Sequence, residues 1–135
     1  MAYEGGCLCG AVRYRIDGEP LSAGYCYCRI CQRAAGAPVV AWVAFHRGGF
    51  RFVRGAPHAV KASERATRRF CGDCGTALTF EYSADTQTID VTIASLDDPS
   101  STEPLYEIWT SSKPPWLHLE GDGPHYPGDP PGTPR

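Results

Sequence analysis

With 135 residues, 42% hydrophobic and 21% charged, the chain has the length of one domain and the composition of a globular protein with its own core. A formal net charge of −2 argues against a nucleic-acid binder held by phosphate contacts. The longest apolar stretch, APVVAWVAF from Ala37 to Phe45, is far too short to cross a bilayer.

The opening segment, MAYEGGCLCG, has neither the basic nor the apolar region of a secretory signal, so a cytoplasmic protein is expected. AVRYRI then alternates with period two, Val12, Tyr14 and Ile16 on one face and Arg13 and Arg15 on the other, which predicts a half-buried strand. CRICQRAAG has room for a turn or two of helix, stopped by Gly36 and Pro38. APVVAWVAF reads as a buried strand, and FRFV as another between the breaks RGG and RGAP. The run RATRR, Arg65 to Arg69, reads as a solvated strand face. ALTFEY and TIDVTIASL alternate again, with Ile89, Val91 and Ile93 facing inward, and Asp97 and Asp98 form a turn before Pro99. LYEIWTS is the last strand candidate. Seven or eight short strands with little helix predict an all-β domain over 1–120. The remainder, 121–135, has five prolines, four glycines and one aromatic, and is expected to be a disordered tail that buries too little to offset its ordering entropy.

Cysteine is the outlier. All seven fall in three groups: Cys7 and Cys9; Cys26, Cys28 and Cys31; Cys71 and Cys74. An odd, clustered set in a reducing compartment points to metal rather than disulfides. Zinc takes four sulfurs in tetrahedral array, and two short knuckles supply them: CLCG and CGDCG, with glycines that free the backbone to turn. Cys7, Cys9, Cys71 and Cys74 are therefore expected to close a structural site. Two filled sites would take the net charge to about −5 once seven thiolates and two Zn²⁺ are counted.

Cys26, Cys28 and Cys31 remain. Three protein ligands plus one exchangeable position is how catalytic zinc is usually held. Other outcomes stay open at this point: a fourth ligand from His46, His58, His118 or Glu107, metal-free thiols, or a division in which Cys71 and Cys74 join the trio. Three thiolates leave the metal a weak Lewis acid, so an incoming soft thiol suits the site better than water. Arg29 and Arg33, on the same turn, are placed to offset negative charge or receive a carboxylate.

The segments GGCLCGAVRY, CYCRICQRAAG, FCGDCGTALTF, IASLDDP and EIWTSSKPPWL, in this order from about Gly5 to Leu119, resemble the family of glutathione-dependent formaldehyde-activating enzymes, also called the centromere protein V family. The resemblance implies a β-tent (Mss4-like) fold with two zinc ions. It implies a structural zinc on Cys7, Cys9, Cys71 and Cys74, and a catalytic zinc on Cys26, Cys28 and Cys31. It also implies a carbon–sulfur lyase acting on thiol adducts, like S-(hydroxymethyl)glutathione synthase, with glutathione as the thiol. The chain departs from the family pattern at Tyr27, where CHC is common, and at Glu107, where His is frequent.

Lys113 could reach a ligand carboxylate and Trp109 and Trp116 could wall a pocket, although core aromatics and a solvated lysine explain them as simply. A non-enzymatic zinc-binding interaction module is the competing reading of the whole chain, and a thiol redox sensor a weaker third.

Overall fold

The computed structural model describes residues 1–133 of the chain. Among them run ten strands: β1 (Ala2–Gly6), β2 (Arg13–Asp17), β3 (Ser22–Cys26), β4 (Val40–His46), β5 (Phe50–Arg54), β6 (His58–Ser63), β7 (Ala66–Phe70), β8 (Ala77–Tyr82), β9 (Thr88–Thr92) and β10 (Glu107–Ile108). The single helix, α1, spans Arg29–Ala35 and ends on Gly36, whose φ of 63° is the left-handed stop that glycine accepts most easily. The class is all-β, as the alternating segments predict.

β1, β2 and β5 form a three-stranded sheet, and the other strands a seven-stranded one in the order β10-β3-β4-β9-β8-β7-β6. Period-two alternation divides the larger sheet into two working faces. Val43 and Phe45 of β4 and Ile89 and Val91 of β9 join Tyr14 and Ile16 of β2 and Phe50 of β5 in one buried cluster. Trp42 of β4 and Asp90 of β9 point to the opposite face. In β8 a bulge opposite the Arg69–Phe70 step leaves Leu78 as the extra residue. Leu78 and Thr79 are both buried, while Phe80 and Tyr82 are left beside a cavity on the other face.

The buried cluster has a polar pin: the Tyr14 hydroxyl meets Ser95 Oγ at 2.8 Å. Gly5 is required beside it, because a Cβ there would overlap the Tyr14 hydroxyl and the Ser95 carbonyl.

The segment beyond Glu120 runs beside the edge of β10. A parallel bridge joins Glu107 to His125; the Glu107 N–H donates to the Pro124 carbonyl and the Tyr126 N–H to the Glu107 carbonyl, both at 2.9 Å. The composition of 121–133 lacks apolar groups, as read from the sequence, but the unpaired edge of β10 supplies backbone partners instead. Its prolines also lower the entropy lost on docking. Residues 134–135 of the expected tail lie outside the described residues.

Glu107 is the clasp for this segment. Its carboxylate accepts hydrogen bonds from the Tyr27 hydroxyl and from His125 Nδ1, and Lys113 Nζ lies at 3.4 Å. Tyr27 is 0% exposed, and Lys113 lies over its ring at 5.3 Å. Burial opposes ionisation of Glu107, but the bonds from Tyr27 and His125 and the Lys113 charge outweigh it and hold the carboxyl below its usual range. Its stabilisation is therefore complete above the ordinary carboxylate range and is lost as pH falls through the lower folded-state value. Glu107→Ala strands three donors, and we expect it to lower stability by about 2–4 kcal/mol in denaturant melts and to flatten the acid limb of the stability profile. Limited proteolysis should then cut within 121–133, where the parent protein resists.

Candidate metal centre and the cavity beside it

Two sulfur clusters occupy different parts of the fold. Cys7 and Cys9 follow β1, and Cys71 and Cys74 follow β7; their four Sγ atoms lie within 4.8 Å of one another. Cys7 and Cys9 Sγ are 3.6 Å apart and Cys9 and Cys71 Sγ 3.8 Å. Four sulfurs at about 2.3 Å from one tetrahedral ion stand roughly 3.8 Å apart, so the donor set fits a soft divalent metal. Backbone bonds fix each knuckle: Cys7 N–H to the Val12 carbonyl at 3.0 Å, and Gly75 N–H to the Cys71 carbonyl at 2.8 Å. The Val12 N–H donates to Cys7 Sγ at 3.3 Å, a bond that favours the thiolate. Leu8 N–H donates to Thr76 Oγ1 at 3.1 Å and ties the knuckles together.

Cys26, Cys28 and Cys31 form the second cluster, again within 4.8 Å, and among the described residues no fourth His, Cys or carboxylate joins them. Cys26 ends β3. Cys28 caps α1, its sulfur accepting from the Cys31 N–H at 3.2 Å, which places Cys31 in the first turn facing back. The candidates for a fourth ligand are elsewhere: His46, His58 and His118 are exposed, and Glu107 is held by Tyr27 and His125.

The trio has a cation of its own. Arg68 of β7, 9% exposed, donates from Nη2 to Cys31 Sγ at 3.3 Å. Its guanidinium lies over Phe80 at 4.9 Å and Trp42 at 6.0 Å. Reading RATRR as a solvated face is therefore corrected at this position: Ala66 and Arg68 are the inward-facing residues of β7. The sulfurs compete for charge. Hydrogen bonds from Cys26 and then Cys31 push the Cys28 thiol down, while the same bond with Cys28, then Cys31, pushes Cys26 up. A bound dication would relieve that competition.

The trio opens on a cavity of about 410 Å³. Trp42, Phe80, Tyr82, Tyr106 and Trp109 wall it, and Arg29 stands at its edge with Nη1 on Gln32 Oε1 at 2.6 Å. Arg33 does not line it. Asp129 and Pro130 of the C-terminal segment close one side; Asp129, its side chain 9% exposed, accepts from Trp109 Nε1 at 2.9 Å and Arg65 Nη2 at 3.1 Å. Asp90 lines the same cavity, where burial, with the Asp85 charge adding, pushes its carboxyl up to about 7.

Of the other residues singled out in the sequence, Trp109 walls the cavity, whereas Trp116 is 69% exposed and apart from it. Lys113 serves Glu107. Asp97 takes a bidentate pair from Arg13 at 2.8 and 2.5 Å, and Asp98 caps the turn at Pro99. Two cavity residues went unremarked as such, Arg68 and Asp90. Alternation carried the one available signal: a charged side chain in phase with apolar neighbours of a strand that is covered on both faces.

The sequence profile of the family described as "Glutathione-dependent formaldehyde-activating enzyme" matches residues 2–112. A protein of Halomonas elongata named "Putative glutathione-dependent formaldehyde-activating enzyme" is 28% identical over 129 residues, covering 89% of this chain and 82% of its own length. The crystal structure of a Rhodobacter sphaeroides protein superposes with a TM-score of 0.61 at 23% identity, over 90% of this chain and 98% of that one.

The bond from Arg68 to Cys31 carries its own test. Arg68→Met keeps the packing over Phe80 but removes the positive charge, and should weaken Co²⁺ binding at the trio by roughly 10- to 100-fold. Competition with a chelator, followed through the sulfur-to-cobalt absorption, should show the four-sulfur site unchanged.

Proposed function

The chain belongs to the family of glutathione-dependent formaldehyde-activating enzymes, and from that premise we propose that it is a zinc-dependent carbon–sulfur lyase that joins a thiol, glutathione, to a small aldehyde and reverses that union. One observation carries the reading: three ionisable sulfurs with no fourth protein donor among the described residues face a cavity of about 410 Å³. In the synthetic direction the thiol S–H bond breaks, a sulfur–carbon bond forms at the carbonyl carbon, and the carbonyl oxygen takes up the proton. The product has the form of S-(hydroxymethyl)glutathione.

Cys7, Cys9, Cys71 and Cys74 would hold a structural zinc, and Cys26, Cys28 and Cys31 the zinc at the reacting site. The ion there supplies, when bound, a positive charge and an open position that favour the ionised form of a thiol at neutral pH. Arg68 brings the total of three thiolates, one dication and one guanidinium to zero, so the apolar cavity encloses no net charge at that end. Trp42, Phe80 and Trp109 exclude water from the approaching carbonyl. Arg29, at the edge, receives a carboxylate of the thiol substrate. We assign the two-sheet architecture to the β-tent class and the protein to the cytoplasm, where seven free thiols stay reduced.

Metal analysis should find two zinc ions per chain, with glutathione sulfur joining one of them in X-ray absorption. Cys28→Ser keeps an oxygen acceptor at the helix cap and should stay folded with one zinc, having lost thiol binding and any turnover above the spontaneous reaction. Cys71→Ser, at a buried ligand, should instead abolish cooperative unfolding. Two inert four-ligand centres, or glutathione without effect on either metal, would defeat the proposal.

A further inference from the structure

Asp90 is the one carboxyl in the cavity that the preceding chemistry leaves unused. It sits at the middle of a cross-strand row, opposite Ala44 of β4 on one side and Phe80 of β8 on the other, with Arg68 of β7 next to Phe80. None of the described residues gives it a hydrogen bond or an ion pair. Every charged or titratable group lining the cavity has another engagement or the wrong character. Arg68 is turned to Cys31, Arg65 bonds Asp129, and Arg29 bonds Gln32. The Tyr82 and Tyr106 phenols are pushed up by burial and stay neutral, and Asp85, beyond the cavity at the β8–β9 turn, adds only repulsion. Asp90 is half-buried, and a carboxyl that faces a cavity with no protein donor is open to a ligand.

Register shows which part of the ligand that is. Cys26 pairs with Val40, whereas Asp90 pairs with Ala44 and Ala44 with Ser22. Asp90 is therefore displaced from Cys26 by four residues along the strands, about 13 Å, and by two strand spacings, about 10 Å. The sulfurs and Asp90 mark opposite ends of one cavity. The two offsets combine to about 16 Å between the Cα atoms, so a thiol anchored at the trio reaches Asp90 only through an extended chain.

We propose that Asp90 recognises the far end of the thiol substrate, and that this end carries a protonated amine. The inference rests on the trio as the thiol site and adds the residue that recognises the amine of such a thiol, Asp90. An ammonium gives a carboxylate in low dielectric the strongest partner available, and the faces of Phe80 and Tyr82 beside it favour a cation as well. A hydroxyl or amide would leave the charge uncompensated. Because the Asp90 carboxyl is held up to about 7, it is a carboxylate above neutrality and a neutral acid below. Preference for the amine must therefore grow as pH rises through that value, and a neighbouring ammonium draws the proton off.

Calorimetric titration of the zinc-loaded full chain with glutathione and with glutaryl-cysteinyl-glycine, which has hydrogen in place of the amine, tests this. Both share the thiol, so the ratio of their affinities reports the amine alone. At pH 8 glutathione should bind about tenfold tighter, with the ratio falling toward one at pH 6. Asp90→Asn, an isosteric change, should bring the ratio close to one at both values; the pH series on the parent protein stands even if that variant fails to fold. Equal affinities at pH 8 overturn the amine inference alone. So does a loss of turnover in Asp90→Asn with the ratio intact, which would make Asp90 a proton donor instead. Binding of neither thiol overturns the thiol-site reading together with this inference.

Discussion

Three sulfur atoms within 4.8 Å of one another cannot all be charged at the end of a largely apolar cavity unless positive charge is brought to them. The surrounding structure answers that constraint at several levels. Cys28 caps α1 through its own sulfur, so forming the helix and placing Cys31 are one event. Arg68 crosses from the far side of the sheet, laid over two aromatic faces, to reach Cys31 Sγ. The aromatic support matters because a guanidinium is weakly hydrated and flat, and tolerates this burial where an ammonium would not. What remains is the charge of a dication, which the sulfur donors suit by their chemistry.

The seven-stranded sheet makes this arrangement possible by being covered on both faces. β4 and β9 put Val43, Phe45, Ile89 and Val91 into the core, and the intervening Trp42 and Asp90 into the cavity. The same alternation that builds the fold therefore positions the site, and a one-residue slip in either strand would destroy both together. The bulge at Leu78 resets the phase of β8, so that Phe80 lies under Arg68 rather than in the core.

Much of this was readable in advance, and the unread part has a common cause. Cysteine spacing divides seven sulfurs into four and three, and the fold groups them the same way. The stop at Gly36 was plain because left-handed backbone is a property of one residue. Arg68 and Asp90 were missed because a charged residue in an alternating strand looks the same whether its face meets water or a cavity. Only the pairing of β7, β8 and β9 reveals which, and that pairing links residues far apart in sequence. The contacts of the C-terminal segment are hidden from the sequence for a related reason. Composition measures what a segment can bury, whereas this one is held by backbone bonds to β10 and by Asp129, neither of which a count of apolar residues registers.

Tyr27 and Glu107 touch each other, the phenol donating to the carboxylate. Glu107 also holds His125 of the C-terminal segment. That contact fastens the stretch that carries Asp129 and Pro130 to the cavity wall. The family profile matches residues 2–112, and Asp129 and Pro130 of this wall lie outside that match. The matched stretch of this chain contains the sulfurs, Arg68 and Asp90; the segment after it shapes one side of the space between them.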